Sequence, residues 1–300
     1  MQQALEVMGF GVVDAAVLAV AAIAFTLQFG VTNYFNFGYS EWLTFGAFIA
    51  LTVNNGLLHV NVWLAMFIGG VATAILSLLI NRAVFAPFTR RRPEAFYILI
   101  VTFGVGFLLN QLYILIWGTA YRNLNSPASP LHDVGPLKFS TEQLLFLLIA
   151  VTFMAGTYLI LNHTRAGRCM RAMSDNRALA AICGFKTERI TDLTWLMTGF
   201  MAGVAGVILA IETHTFGTDL GQSYVYLVFP AVIIGGIGRT YGALIGGLLI
   251  GLFTGIGVLV IPSAISPLVI FAALVAIVLL RPQGLVGGSV GGRMEEGQAL

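Results

Sequence analysis

The stretch VVDAAVLAVAAIAFTLQFGV, residues 12–31, decides the fold class of this chain, because it is apolar apart from Asp14, Thr26 and Gln28. A helix needs about 20 consecutive apolar residues to cross a bilayer, and this run has that length. Directly after it the chain reads NYFNFGYSE at 33–41, and then WLTFGAFIALTV at 42–53. The long run predicts a membrane-spanning helix, and the polar stretch predicts an interruption within the membrane region.

The composition of the whole chain agrees with a membrane protein. Of its 300 residues, 58% are hydrophobic and 9% are charged, whereas soluble domains carry about 25% charged residues. The apolar runs are continuous, which excludes a β-barrel with its short strands of alternating polarity. The net charge is only +2, so no basic face for nucleic acid is expected. We therefore predict an all-α, polytopic helical membrane protein.

Apolar segments predict eight to nine spans along the chain. They lie at 9–31, 35–53, 62–86, 96–118, 141–162, 190–211, 224–237, 241–261 and 265–280. The segments at 35–53 and 224–237 are the short ones, and each could enter and leave the membrane on the same side. These two are the predicted interrupted segments.

The basic residues predict the orientation. If the segments at 82–92 and 165–189 face the cytoplasm and the spans alternate, all but two of the 15 lysines and arginines lie inside. The exceptions are Arg122 and Lys138. This split predicts an external N-terminus and a cytoplasmic C-terminus in a multi-pass membrane protein.

The expected domain organisation is simple. Residues 1–288 are predicted to form a single transmembrane domain, and residues 289–300 a disordered tail. Residues 164–189 would form a cytoplasmic loop. The segment 119–140, with its three prolines, would be an external loop, either a plain connector or a docking surface for an external partner.

A second interruption is expected in FPAVIIGGIGRTYGALIGGLLIG, residues 229–251. Pro230 lacks a backbone N–H, and Gly235, Gly236 and Gly238 weaken the helix. The glycines fit ordinary tight helix packing. They also fit a transporter built from repeats, because paired interrupted segments point to a substrate path between the repeats. On that interpretation the path residues are Asn33, Asn36, Ser40, Glu41, Gly235, Gly236 and Gly238.

Each polar residue also has a plainer interpretation. Glu41 could be solvated at a membrane surface, although an ionisable group within the membrane faces a cavity or a partner by default. Asn33 and Asn36 could satisfy backbone groups that a helix break leaves free. Asn110 and Gln111 are expected to form hydrogen bonds between helices.

A catalytic site is not indicated. The four histidines are scattered, and the chain contains no metalloprotease, nucleophile-elbow or P-loop pattern. Cys169 and Cys183 are given no disulfide and no metal. We therefore expect a protein that is not an enzyme and that binds no metal or cofactor itself.

The most specific stretch is TRAGRCMRAMSDNRALAAICGFKTERI, residues 164–190. It predicts a partly amphipathic helix lying off the membrane, with Asp175 or Asn176 capping a second short helix and Gly184 ending it. Its basic residues could hold it to anionic lipid head groups. Alternatively, it is a docking helix for a soluble partner.

This stretch resembles the cytoplasmic loop of branched-chain amino acid permeases of bacterial ABC importers. Two further segments are similar to the same family, namely 229–251 and RPQGLVGG at 281–288. The stretch NYFNFGYSEWLTFGAF at 33–48 resembles an early motif of the family but departs from it at Tyr39 and Ser40. The resemblance covers residues 10–288. Related permeases take urea, short amides or other small solutes, so these cargoes remain alternatives.

The resemblance implies a multi-pass permease of the bacterial cytoplasmic (inner) membrane that works by alternating access with several partners. These are a second, similar but different permease chain, two cytoplasmic ATPases through which ATP acts, an extracytoplasmic substrate-binding protein, and membrane lipid. Residues 164–184 would be the coupling element seated on an ATPase. The residues expected there are Arg165, Gly167, Arg168, Arg171, Asp175, Asn176, Ala181 and Gly184. Two other classes stay open: a self-sufficient ion-coupled carrier with Glu41 as its ion site, and a scaffold without transport.

Overall fold

The computed structural model describes residues 2–57, 60–91, 94–124, 131–134 and 137–257, with isolated positions between 265 and 279. Its helices are α1 (Gln2–Thr32), α2 (Tyr39–Leu51), α3 (Val62–Ile80), α4 (Ala86–Arg90), α5 (Ala95–Trp117), α6 (Thr141–His163), α7 (Arg165–Ile182), α8 (Thr187–Glu212), α9 (Leu220–Gly235) and α10 (Thr240–Gly257). The π-helical turns Thr52–Leu57 and Asn81–Phe85 extend α2 and join α3 to α4. The antiparallel strands β1 (Leu131–Val134) and β2 (Leu137–Ser140) form a hairpin in the predicted external loop.

The prediction of an all-α, polytopic membrane protein is confirmed. Within the described residues, five helices are long and apolar enough to cross a bilayer, namely Gly11–Thr32, Val62–Arg90, Phe96–Trp117, Thr141–His163 and Thr187–Glu212. Shorter apolar helices lie at Leu220–Gly235 and Thr240–Gly255. The predicted ninth span at 265–280 lies largely outside the described residues, as does the predicted tail at 289–300.

Helix α1 is the centre of the molecule, and its small residues let α10 approach closely. Cβ atoms added at Gly247 and Gly251 of α10 would overlap the backbone of α1 at Ala19 and Ala15. Small residues repeated every four positions allow this backbone contact between membrane helices. The tight packing predicted from the glycine spacing in 241–251 is confirmed.

A second packed layer joins α2, α3 and α8. The Ser77 hydroxyl of α3 donates to the backbone oxygen of Trp195 in α8 at 2.8 Å, deep in the interior. The Trp195 ring in turn meets Trp42 of α2 edge to face, with centroids 6.1 Å apart. These contacts fix the position of α2 against the two long helices.

Helices α5 and α6 lie at the periphery, and most residues in their apolar stretches are not fully buried. Phe107 and Leu115 of α5 are 70% and 79% exposed. Apolar exposure of this extent is expected where a helix faces lipid tails.

Basic residues of the two predicted cytoplasmic segments meet at one end of the molecule, here called the basic end. Arg82 pairs with Asp192 at 2.7 Å, and Arg90 pairs with Glu188 at 2.8 Å. Both pairs border a groove of about 920 Å³ that Arg177 and Arg189 also line. This common location agrees with the assignment of both segments to the same side of the membrane.

Candidate functional site

The first interruption carries the chain from the basic end into the interior of the protein. Helix α1 ends where Asn33 takes a left-handed conformation (φ 58°), which asparagine tolerates better than most residues. Tyr34 then packs on Phe85 near the basic end, with ring centroids 5.9 Å apart. By Gly38 the chain touches Gly106, the middle residue of α5. Helix α2 therefore begins about halfway along a spanning helix.

A second interruption, at 213–219, enters from the opposite end. Helix α8 ends before His214, which has the same left-handed φ of 58° as Asn33. Phe216 pairs with Arg122 through two backbone hydrogen bonds of 2.9 Å, next to the external segment. The chain then turns inward and starts α9 at Leu220. The two interruptions thus follow α1 and α8, which cross the molecule in opposite directions, as inverted repeats require.

Both short helices begin at the same place. The backbone N–H of Gly221 in α9 donates to the Thr44 hydroxyl of α2 at 3.0 Å. A Cβ added at Gly221 would overlap the backbone oxygen of Ser40. Only glycine permits this approach, so Gly221 holds the two helix N-termini together inside the protein.

Glu41 lies at this junction and is 1% exposed. Its carboxylate accepts a hydrogen bond from the Ser40 hydroxyl at 3.2 Å and from the Asn110 amide at 3.5 Å. The Asn110 amide also donates to the backbone oxygen of Thr218 at 3.0 Å, which ties α5 to the second interruption. Helix N-termini carry partial positive charge, so α2 and α9 both stabilise a carboxylate here.

An aromatic cluster adjoins the polar junction on the side of the basic end. Phe37 stacks on Phe103 of α5, with centroids 4.6 Å apart, and meets Phe229 of α9 edge to face at 5.5 Å. Phe229 also contacts Phe25 of α1 at 5.1 Å. The junction and the cluster together place a polar and an apolar surface side by side between α5 and α9.

Asn36 and Asn33 have structural tasks in the first interruption. The Asn36 side-chain oxygen accepts the backbone N–H of Gly38 at 3.1 Å, which satisfies a group that the break leaves free. Its amide nitrogen is buried and has no hydrogen-bond partner among the described residues. Asn33 is exposed at the basic end.

The predicted path residues do not all meet. Ser40 and Glu41 lie in the junction and Asn36 beside it, whereas Gly235, Gly236 and Gly238 form the turn from α9 to α10 at the basic end. Gly236 and Gly238 have positive φ values of 106° and 80°, which the turn requires. The segment that matches the first interruption is 213–219, not the predicted 235–238. In the sequence, the stretch HTFGTD at 214–219 indicates this interruption, because it places Gly217 and Asp219 between two apolar runs.

The predicted cytoplasmic segment folds as α7, and its local predictions are confirmed. The helix kinks at Asn176, whose side-chain oxygen caps the second half by accepting the N–H of Leu179 at 3.0 Å. Gly184, with φ 86°, ends it, and Phe185 donates its N–H to the oxygen of Ala180 at 3.2 Å. These bonds satisfy the last carbonyls of the helix.

The predicted coupling residues of α7 divide into an exposed set and one packing residue. Those exposed are Arg165, Arg168, Arg171, Asp175, Asn176, Ala181 and Gly184. Gly167 is buried and packs so closely on α6 that a Cβ there would overlap the backbone at Ile160. The helix also carries an apolar patch that no described residue covers, formed by Leu179, Ile182 and Phe185, which are 58%, 82% and 38% exposed.

Comparison with known proteins finds relatives that match almost the whole chain. The chain is 25% identical to the high-affinity branched-chain amino acid transport system permease protein LivH of Escherichia coli K12, over 94% of this chain and 95% of LivH. It is 26% identical to the permease protein BraD of Pseudomonas aeruginosa, over 92% and 94%. A probable LivH of Methanocaldococcus jannaschii is 28% identical, over 90% and 88%.

No solved structure is significantly similar to this chain. The family described as "Branched-chain amino acid transport system / permease component" matches it from residue 7 to residue 278. That match includes both interruptions, the junction at Glu41 and the whole of α7. The chain therefore belongs to the family of permease components of branched-chain amino acid transport systems.

Proposed function

We propose that this chain is the membrane permease subunit of an ATP-driven importer for branched-chain or other hydrophobic amino acids. The observation that carries the proposal is the meeting of two interrupted segments, entering from opposite ends, at Glu41. In transporters built from repeats, substrate sites lie where such segments meet near mid-membrane. Alternating access then requires a partner that binds two arrangements of these helices with different affinity.

The junction suits an amino acid zwitterion. The N-termini of α2 and α9 attract a carboxylate, and the carboxylate of Glu41 attracts an ammonium group. The adjoining cluster of Phe37, Phe103 and Phe229 provides contact for an apolar side chain. Urea and short amides lack both charges, so this arrangement favours an amino acid over them.

A second permease chain is expected to cover the side of the molecule between α5 and α9. Gln111 of α5 and Gln222 and Ser223 of α9 are exposed there, close to the level of the junction. Exposed amides at this depth are unfavourable against lipid tails, so they face protein or a water-filled path. The translocation path would then run between the two permease chains.

The coupling to ATP would pass through α7. Its apolar patch and the surrounding arginines fit a groove on a soluble ATPase, and two such subunits would drive the permease pair. A binding protein would deliver substrate at the opposite end, near Arg122. The chain itself would hydrolyse no ATP and bind no cofactor.

Reconstitution tests the proposed function directly. Proteoliposomes that contain both permease chains and the ATPases, with binding protein on the outside, should take up leucine only when they contain ATP. Excess valine should compete with leucine, whereas excess urea or acetamide should not. Leucine uptake by this chain without any ATPase, dependent on an ion gradient, would contradict the proposal and favour a self-sufficient carrier.

Glu41→Gln should lower leucine uptake about tenfold or more, which corresponds to about 1.4 kcal/mol. The amide keeps the size of the side chain but removes the charge that attracts the substrate ammonium group. Glu188→Gln is the matched control, because it removes a carboxylate that is 70% exposed in a surface ion pair. Uptake by Glu41→Gln at the wild-type rate would remove Glu41 from the substrate site.

A further inference from the structure

A separate cavity of about 300 Å³ lies at the basic end, away from the junction. It is bordered by α1, the end of α6, α7, the turn at 238–239 and the first residues of α10. The junction at Glu41 and the apolar patch of α7 lie outside this cavity, whereas Arg171, one of the predicted coupling residues, also lines it.

The polar groups of the cavity select for an anion. Arg171 and Arg239 contribute two guanidinium groups, and among the described residues no aspartate or glutamate lines the cavity. Ser174 and Thr240 add hydroxyls, and the N-terminus of α10 at Thr240 adds partial positive charge. Guanidinium groups match phosphate in geometry as well as in charge.

One buried group that lines the cavity is left without a hydrogen bond by the described part of the chain. The hydroxyl of Thr26 has no hydrogen-bond partner there, although Thr26 is only 1% exposed. A threonine in a helix can usually donate to a backbone oxygen one turn earlier, as Thr32 does to Gln28 at 2.7 Å. Because an unpaired buried hydroxyl is unfavourable, Thr26 indicates a ligand with a polar group that reaches the inner wall.

The remaining walls are apolar, which distinguishes this cavity from a site for a small inorganic ion. Leu27, Val31, Leu161 and Met170 form them. They provide contact for a hydrocarbon chain that lies next to the charged rim.

The rim lies where a membrane surface is expected. Arg171 donates to the side-chain oxygen of Asn162 at 2.9 Å, and the Asn162 amide donates to the Tyr241 hydroxyl. Tyr241 and Tyr158 pack with ring centroids 6.0 Å apart, and both are about half exposed. Tyrosines are enriched at membrane–water interfaces, where their hydroxyls reach the head groups.

We propose that this cavity binds an anionic phospholipid of the cytoplasmic leaflet. The phosphate lies between Arg171 and Arg239, the glycerol region reaches the Thr26 hydroxyl, and one acyl chain follows the apolar wall. Basic pockets between membrane helices at the cytoplasmic surface are suited to this class of lipid. The site is independent of the transported substrate, so it stands whether or not the proposed cargo is correct.

Native mass spectrometry of the purified full chain, titrated with lipid in detergent, tests the proposal. Dioleoylphosphatidylglycerol should bind as a saturable adduct, and dioleoylphosphatidylcholine should bind at least tenfold more weakly. Arg239→Gln should weaken phosphatidylglycerol binding about tenfold. Arg165→Gln, on the same helix as Arg171 but outside the cavity, should leave it unchanged.

A second variant and a second probe complete the test. Ser174→Leu narrows the cavity from α7 and should also reduce phosphatidylglycerol binding, so that the result does not depend on one substitution that could impair folding. Equal binding of phosphatidylglycerol to wild type and to both cavity variants would overturn the proposal. If inorganic phosphate binds saturably and phosphatidylglycerol does not bind, the assignment of the site to a lipid is wrong.

Discussion

Gly221→Ala should reduce leucine uptake by the reconstituted importer at least tenfold, because the added methyl group would push two closely packed helix ends apart. The added methyl group would overlap the backbone oxygen of Ser40 and lie 2.6 Å from the Thr44 hydroxyl. A backbone oxygen cannot move without displacing α2, so the N-termini of α2 and α9 must separate. Overpacking of this kind costs about 1–3 kcal/mol.

The same substitution at Gly156 is the matched control. Gly156 lies in the spanning helix α6, away from the side assigned to the second permease chain, and an added Cβ has no neighbour within 4 Å. Gly156→Ala should therefore retain wild-type uptake and thermal stability. If Gly221→Ala transports leucine like wild type, the close contact between α2 and α9 is not part of the transport mechanism.

The double variant Leu179→Asp, Ile182→Asp should abolish stimulation of the partner ATPases while leaving the chain folded. The two side chains are 58% and 82% exposed, so the fold does not depend on burying them. Full burial of an apolar side chain in an interface contributes about 1.5–3 kcal/mol, and a carboxylate in its place adds an unpaired charge. ATP hydrolysis in proteoliposomes and co-purification of the ATPases measure the effect.

Arg91→Asp places a carboxylate at the basic end, in the neighbouring segment outside α7. It should leave ATPase stimulation within about twofold of wild type, since exposed charge changes contribute little. Full stimulation by the double variant would show that the ATPases dock elsewhere on the basic end. Loss of stimulation by both variants would indicate a general effect of negative charge.

The fold class and the local structure of α7 could be predicted from the sequence because both depend on short-range properties. The length of an apolar run determines whether a helix can cross a bilayer, and residues 12–31 meet that requirement within a single stretch. Asn176 and Gly184 act on the backbone within three or four residues, so their capping roles are also local.

Only the tertiary structure decided which interruption meets the one at 33–38. The glycines at 235–238 looked like its counterpart, but they serve the turn before α10, and the junction is made by 213–219 instead. The reason is that Gly221 lets α9 touch α2 at Ser40, a contact between residues far apart in the chain. Hydrophobic pattern and helix-breaking residues indicate where a membrane helix stops, whereas the partner of each break depends on which backbones can approach each other.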